Sequence, residues 1–313
     1  RGNFDMRVRE EQTPSVDIPV GSRYKLQVVK NGEIKQESGW SKNVITNNGM
    51  NIVTSAFWNR YCQVGSGSTP PIFTDVALVS KLADANNTSA PTGSIDVDNR
   101  YLVGQKTFSF LAGAAAGNIS EVGVGRSASG DLFSRALVVD SGGSPTSITV
   151  LSDEDLIVVW EVWMKQPTTD FTGAIGGNNY TIRAARVDAT VPAASQFGSY
   201  WNWAEYIFEL DESNGAANAY TGAIGTITGY PSGTRSGCSG SGVANAGYVA
   251  DSHERTAVVT FSTAQANFDI KSFSWVFGPT FWQVEFENVI PKTAVQTLKF
   301  GVKLSWSRDS GPA

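Results

Sequence analysis

The chain has 313 residues, and its 24 Lys and Arg against 29 Asp and Glu give a net charge of −5 with no long run of either sign, which excludes the basic stripe of a nucleic-acid footprint. Hydrophobic residues at 41% are enough for a core and exclude wholesale disorder, while 32 glycines and 11% aromatic residues point to a turn-rich β protein. No run of eighteen apolar residues and no charged-then-apolar leader is present, so neither a membrane span nor a Sec-type signal is expected.

Residues 1–21 read as an N-terminal arm, because 1–17 mix charges with little apolar periodicity. From Ser22 onward Tyr24, Leu26 and Val28 alternate with Arg23, Lys25 and Gln27. Asn31-Gly32 then separates this run from 33–40, the strongest hairpin signal in the chain. Thr46 caps a short helix on which Met50, Val53 and Phe57 recur at helical spacing, a stripe that suits core packing better than a ligand box. After a short strand at 62–64 comes GSGSTPP at 65–71. A glycine-rich loop cradles phosphate when Gly-Lys-Ser/Thr and a helix follow it, and here neither does. Residues 84–98 read as a polar loop, and 101–111 resume β alternation through Val103, Thr107 and Phe108.

The stretch 117–137, GNISEVGVGRSASGDLFSRAL, reads as two strands joined by a small-residue turn at 127–131. Ile119, Val122 and Val124 lie in the first, and Leu132, Phe133, Ala136 and Leu137 in the second. Glu121 and Arg135 stand one on each arm and are expected to form a structural cross-strand pair, ordinarily a surface tie worth under about 1 kcal/mol. A turn at 141–145 and a short strand at 147–151 follow. The run LIVVWEVWMK at 156–165 is apolar on both faces and predicts a central, doubly covered strand. Residues 22–165 thus form a β-sandwich core module.

From Gln166 to residue 280 the texture loosens into a loop-rich β insert or a second β domain. TGAIG occurs at 172–176 and again at 221–225, too little for a repeat architecture. Trp201, Trp203 and Tyr206 lie in the densest aromatic cluster of the chain. They are candidate interface or glycan contacts, against the plainer reading of an aromatic core strand. Residues 232–247 read as a flexible low-complexity loop, and strands return at 255–262, 270–277 and 280–287. In the last strand Leu298, Phe300, Val302, Leu304 and Trp306 alternate with Lys299, Gly301, Lys303, Ser305 and Ser307. The C-terminal strands, 281–313, are expected to return to the core module. The fold class is mainly β: an antiparallel sandwich or sandwiches with one short helix and long Gly-rich loops.

Chemistry-bearing patterns are sparse. His253 is the single histidine, with no second histidine for a metal and no Gly-x-Ser-x-Gly elbow to serve, so it reads as a loop residue. Asp96 with Asp98, and Asp153, Glu154 and Asp155, are near enough in sequence for paired-carboxylate glycoside hydrolysis, but acidic residues beside strand ends are ordinary turn residues. No DxDxDG calcium pattern occurs. Asn87, Asn118 and Asn179 match the glycosylation sequon and carry no weight without a secretory leader. Cys62 and Cys238 have no CxxC partner, which fits assembly in a reducing cytoplasm. No catalytic residue, metal site or cofactor is expected.

Several stretches in order carry a resemblance: Asn43-Val44-Ile45-Thr46-Asn47-Asn48-Gly49-Met50; Val64-Gly65-Ser66-Gly67-Ser68-Thr69-Pro70; the strands 118–125 and 132–137; and Pro145-Thr146-Ser147-Ile148-Thr149-Val150. With Ile290-Pro291-Lys292-Thr293 and Ser305-Trp306-Ser307-Arg308, they resemble structural proteins of tailed bacteriophages. In that family an "ITNxG" segment, a "VGsGst" loop, an "isEvGvg" strand and an "lfsRal" strand follow one another. The resemblance implies a non-enzymatic virion component at the tail or neck, whether collar, baseplate or fibre. It would assemble in the bacterial host cytoplasm as a homo-oligomer with other virion proteins, through β edges, the N-terminal arm and aromatic loops. The rival is a receptor protein that binds or cleaves host glycans, with Trp201, Trp203 and Tyr206 as a sugar platform.

Overall fold

The computed structural model describes residues 15–89, 91–96, 98, 100–184, 217–238, 242–277 and 280–309. It is mainly antiparallel β, 56% strand against 3% helix, so the class is all-β. The described chain forms two compact units, one made of 19–165 with 307–309, the other of 15–18 with 166–306.

The first unit holds β1 (Ser15–Lys30) from Pro19 on, β2 (Glu33–Glu37), β3 (Ser41–Lys42), β4 (Val44–Ile45), α1 (Asn47–Ile52), β5 (Tyr61–Gly65), β6 (Lys81–Asn86) and β7 (Thr92–Asp96). It continues with β8 (Tyr101–Phe110), β9 (Gly117–Ile119), β10 (Glu121–Gly125), β11 (Leu132–Leu137), β12 (Ile148–Val150) and β13 (Asp155–Lys165). One sheet runs β7-β8-β13-β1, with β2 and β3 also on β1; a second runs β4-β11-β10-β5-β6; β9 and β12 pair separately. The two large sheets face each other. Trp160 of β13 meets Phe133 of β11 at 6.0 Å and Trp58 at 5.6 Å, all edge-on, the geometry in which ring quadrupoles attract. The Tyr24 hydroxyl of β1 crosses the same core, 2.5 Å from Ser134 Oγ, and accepts from the Val124 N–H at 3.0 Å.

The period of two puts Tyr24, Leu26 and Val28 in this core, and Asn31 (φ 52°) and Gly32 (φ 79°) turn the chain into β2 with the positive φ angles a two-residue hairpin needs. Thr46 Oγ1 caps α1 by accepting from the Gly49 N–H at 2.8 Å, and Met50 and Val53 are buried. Phe57 departs from the expected stripe: the helix has ended, its φ is 59° and the ring is exposed. On β13 one face is buried, but Ile157 and Val159 on the other are only half-covered, so the expected double cover is incomplete.

The second unit holds β14 (Phe171–Ile175), β15 (Asn178–Ala184), β16 (Ala217–Tyr220), β17 (Arg235–Gly237), β18 (Val243–Asn245), β19 (Glu254–Phe261), β20 (Asp269–Phe277), β21 (Thr280–Pro291) and β22 (Leu298–Arg308) to Trp306. One sheet runs β14-β15-β21-β20-β16-β17, while β18, β19 and β22 lie side by side in another. Phe273 of β20 stacks on Phe300 of β22 at 4.4 Å, with Phe286 and Trp275 within 6.0 Å of the same ring.

Several boundaries differ from the sequence reading. β1 opens at Ser15 with Val16, Ile18 and Val20 buried, so the alternation runs through Pro19 into the stretch read as an arm. The polar loop at 84–98 contains β7 and the end of β6, and the low-complexity loop at 232–247 contains β17 and β18. These short edge strands are held by ladder hydrogen bonds rather than by apolar alternation. Residues 281–306 cluster with the second unit and 307–309 with the first; β21 pairs with β15 and β20, and β22 lies between β19 and β1.

Candidate functional site

The β10–β11 register sets Glu121 opposite Leu137 and Arg135 opposite Gly123, so the two charges are diagonal neighbours. The expected surface tie is in fact buried, with both residues at 0% exposure. Glu121 Oε1 accepts from the N–H groups of Gly67 (3.0 Å) and Ser80 (2.7 Å), and Oε2 from those of Val79 (3.0 Å) and Arg135 Nε (3.0 Å). Arg135 Nη1 reaches Asp75 Oδ2 at 2.8 Å and Nη2 donates to the Thr69 carbonyl at 2.8 Å. Asp75 Oδ2 in turn accepts from the Ile72 N–H at 2.9 Å. A buried charge is tolerable only when its polar atoms are partnered, and the loop at 66–80 supplies the partners.

This arrangement explains the glycine-rich stretch. One of its N–H groups, that of Gly67, does hold an anion, and the anion is the chain's own carboxylate. A Cβ at Gly65 would come within 2.7 Å of Glu121 Oε1, and one at Gly67 closer still, so only glycine lets the carboxylate approach.

Residues 43–50 meet the same hairpin, and Arg308 in turn meets residues 43–50. Thr46 donates through Oγ1 to the Leu132 carbonyl at 2.7 Å, and its N–H reaches the Phe133 carbonyl at 2.9 Å. A Cβ on Gly49 would collide with that Phe133 carbonyl. Arg308 donates to the Ile45 carbonyl at 2.8 Å and to Asn47 Oδ1 at 2.7 Å. In the second unit Lys292 plays a comparable part: its buried ammonium donates to the Ser262 carbonyl and Asn267 Oδ1, each at 2.8 Å, and to the Gln265 carbonyl, fixing the turn at 262–267.

The tied loop and the start of β6 present apolar side chains to solvent. Ile72 (58%), Phe73 (53%), Val76 (61%), Val79 (58%) and Leu82 (48%) are exposed, five of the thirteen large hydrophobic residues that the described chain leaves open. Sequence reasoning passed over this run, although IFTDVALV following Pro-Pro was the signal: apolar residues in a segment with no strand or helix period.

The remaining candidates fall elsewhere. Trp201, Trp203 and Tyr206 lie outside the described residues. The face of β14, β15 and β21 forms a groove of about 620 Å³ in which the register aligns Thr172, Asn179, Thr181, Glu285 and Glu287. Tyr180 and Phe286 pair on the opposite face of those strands. Asn179 donates to Glu287 at 2.6 Å, and Lys271 lies 3.5 Å from Glu285. His253 sits in a turn with φ 49°, and its carbonyl accepts from the Trp306 N–H. Asp153 pairs with Lys30 at 2.6 Å, and Glu154 accepts from the Leu151 N–H at 2.9 Å, so both serve local structure. Cys62 and Cys238 are buried free thiols, and burial pushes the Cys62 thiol well above its ordinary value. Among the described residues no helix is long and apolar enough to cross a membrane, and no cluster of three or more metal-ligating side chains forms. Set against protein-family models, curated proteins and solved structures, the chain matches none of them.

Proposed function

We propose that the chain is a non-enzymatic structural component of a tailed-bacteriophage virion, at the tail or neck, working as a homo-oligomer. The observation that carries this reading is where the motif residues converge. Glu121, Arg135, Gly65 and Gly67 build one buried tie, while Thr46, Gly49 and Arg308 lock the neighbouring segments onto β11 or onto one another. Most of the residues that carry the resemblance therefore serve one mechanical task, stiffening a module and holding out its loop, while Lys292 fixes a turn in the second unit. Such a role needs no catalytic group, only rigid surfaces that bury area against neighbours. The test is localisation. Gold-conjugated antibody raised against the purified chain should label the tail or neck of particles released by the strain that encodes it; unlabelled particles, or label on the capsid alone, overturn the proposal.

A second reading, a host-glycan receptor, draws on the hydroxyl, amide and carboxylate groups of Thr172, Asn179, Thr181, Glu285 and Glu287 along one sheet face. Binding on a glycan array that Thr181→Trp abolishes would favour it.

A further inference from the structure

We infer that the segment from Ile72 to Leu82, the tied loop and the start of β6, is a self-docking surface that seats the same segment of a second copy across a two-fold axis. The inference deepens the homo-oligomer reading above and rests on it. Exposed hydrophobic residues are ordinary when scattered; here five fall within one short stretch while eight are distributed over the rest of the described chain. Their combined open surface is on the order of 500 Å², at the upper end of what a monomer leaves uncovered. Two copies meeting so that all five are covered would bury up to about 1,000 Å², where specific interfaces begin.

Rigidity favours the same conclusion. The loop is fixed before any partner arrives: Glu121 holds its Gly67, Val79 and Ser80 N–H groups, Arg135 holds Thr69 and Asp75, and the Phe73 carbonyl accepts from the Asn47 N–H at 2.7 Å. The ordering entropy that weakens most loop-mediated contacts has already been met by folding.

Charge decides which occupant fits. Across a two-fold axis each side chain meets its own kind, so a net charge at the centre would repel. Asp75 and Glu121 share the one charge of Arg135, 2.8 Å from each, Arg308 supplies a second positive charge, and Lys81 and Asp84 pair at 2.5 Å, so the charges around the patch balance. The guanidinium at the margin, Arg308, lies 4.4 Å over the Phe73 ring and is held back by Ile45 and Asn47. A patch that is apolar, rigid and without net charge suits a copy of itself better than a charged partner.

Sedimentation of the full chain across a micromolar concentration series tests the contact. Wild type should show a monomer–dimer equilibrium, and Val76→Asp or Ile72→Asp should weaken it at least about tenfold. Leu111→Asp, an exposed apolar site outside the loop, should leave it unchanged. Because Val76 is exposed, the Val76→Asp melting temperature should match wild type, separating lost contact from lost fold. A wild-type chain that remains monomeric throughout overturns the inference, as does an association that survives both loop substitutions. In either case tail or neck labelling of particles would leave the virion role standing, whereas loop-dependent dimers with no particle label would leave the contact and remove the role.

Discussion

Two loops, one in each unit, are laid onto a sheet by buried side chains, and they are held by different chemistry. The loop at 66–80 is held by ions: Glu121 collects three of its N–H groups, and Arg135 binds a carbonyl and a carboxylate. The loop at 221–230 is held chiefly by a neutral amide. Gln283, at 0% exposure, accepts from the Gly225 N–H at 2.8 Å and donates to the carbonyls of Thr226 (3.0 Å) and Gly229 (3.1 Å). The difference follows from what each backbone offers. Three converging donors call for an acceptor-only group, which a carboxylate is; one donor beside two acceptors calls for a side chain with both functions, which an amide is. The ion is the stronger holder and the more damaging one to remove, because its partner is left buried and charged.

The largest expected effect comes from Glu121→Gln. The amide sets an NH2 group against donors and removes one of the two carboxylates that Arg135 pairs with, so unfolding free energy should fall by about 3 kcal/mol in a urea titration. A loss under about 1 kcal/mol would erase the contrast between the loops. Replacing the pair together, Glu121→Leu with Arg135→Met, should not restore wild-type stability, because the Gly67, Val79 and Ser80 N–H groups stay buried without an acceptor. Next in size, Gln283→Ala should cost about 2–3 kcal/mol by the same titration, and Gln283→Glu should cost more, since a carboxylate would face two carbonyls.

The smallest effect concerns Lys106, a buried cation that lacks the carboxylates Arg135 enjoys. It stands opposite Trp160 and donates to the Asn59 carbonyl at 3.0 Å and Asn59 Oδ1 at 3.1 Å. Burial, with the Arg60 charge adding to it, pushes its amine down to about 8. Between about pH 8 and 10 the unfolded chain keeps a proton that the folded chain has lost, so this group contributes about 1–2 kcal/mol of stability that grows as pH rises through that window. Burial raises the Cys62 thiol and so gives the opposite slope. The readout is therefore the difference in slope between wild type and Lys106→Met, and equal slopes would show that Lys106 titrates alike in both states.

Where local chemistry decides structure, the sequence was readable. Asn31-Gly32, the Tyr24–Leu26–Val28 alternation, the Thr46 cap and the last strand need only their neighbours, and each takes the form its residues imply. The elements that were missed are those whose support comes from afar. β7, β17 and β18 have little apolar alternation and exist because a partner strand supplies the ladder. The reach between Glu121 and Arg135 was visible from the hairpin, but their burial was not, because the lid over them is a loop 41 to 66 positions away in the chain. IFTDVALV is marked in the sequence only by its lack of a period after Pro-Pro, and the tie that holds it out is what explains its exposure.

The tie also imposes an order of events during synthesis. Residues 66–80 leave the ribosome well before Glu121 and Arg135, so for that interval the nascent chain carries Ile72, Phe73, Val76 and Val79 on an unclosed loop. Contacts separated by 41 to 66 residues carry a large closure entropy and make the docking of this loop a late, slow step. The same side chains that suit a finished subunit to its neighbours are then the chain's main aggregation hazard, and the yield of native protein should depend on how quickly one buried carboxylate finds three backbone N–H groups.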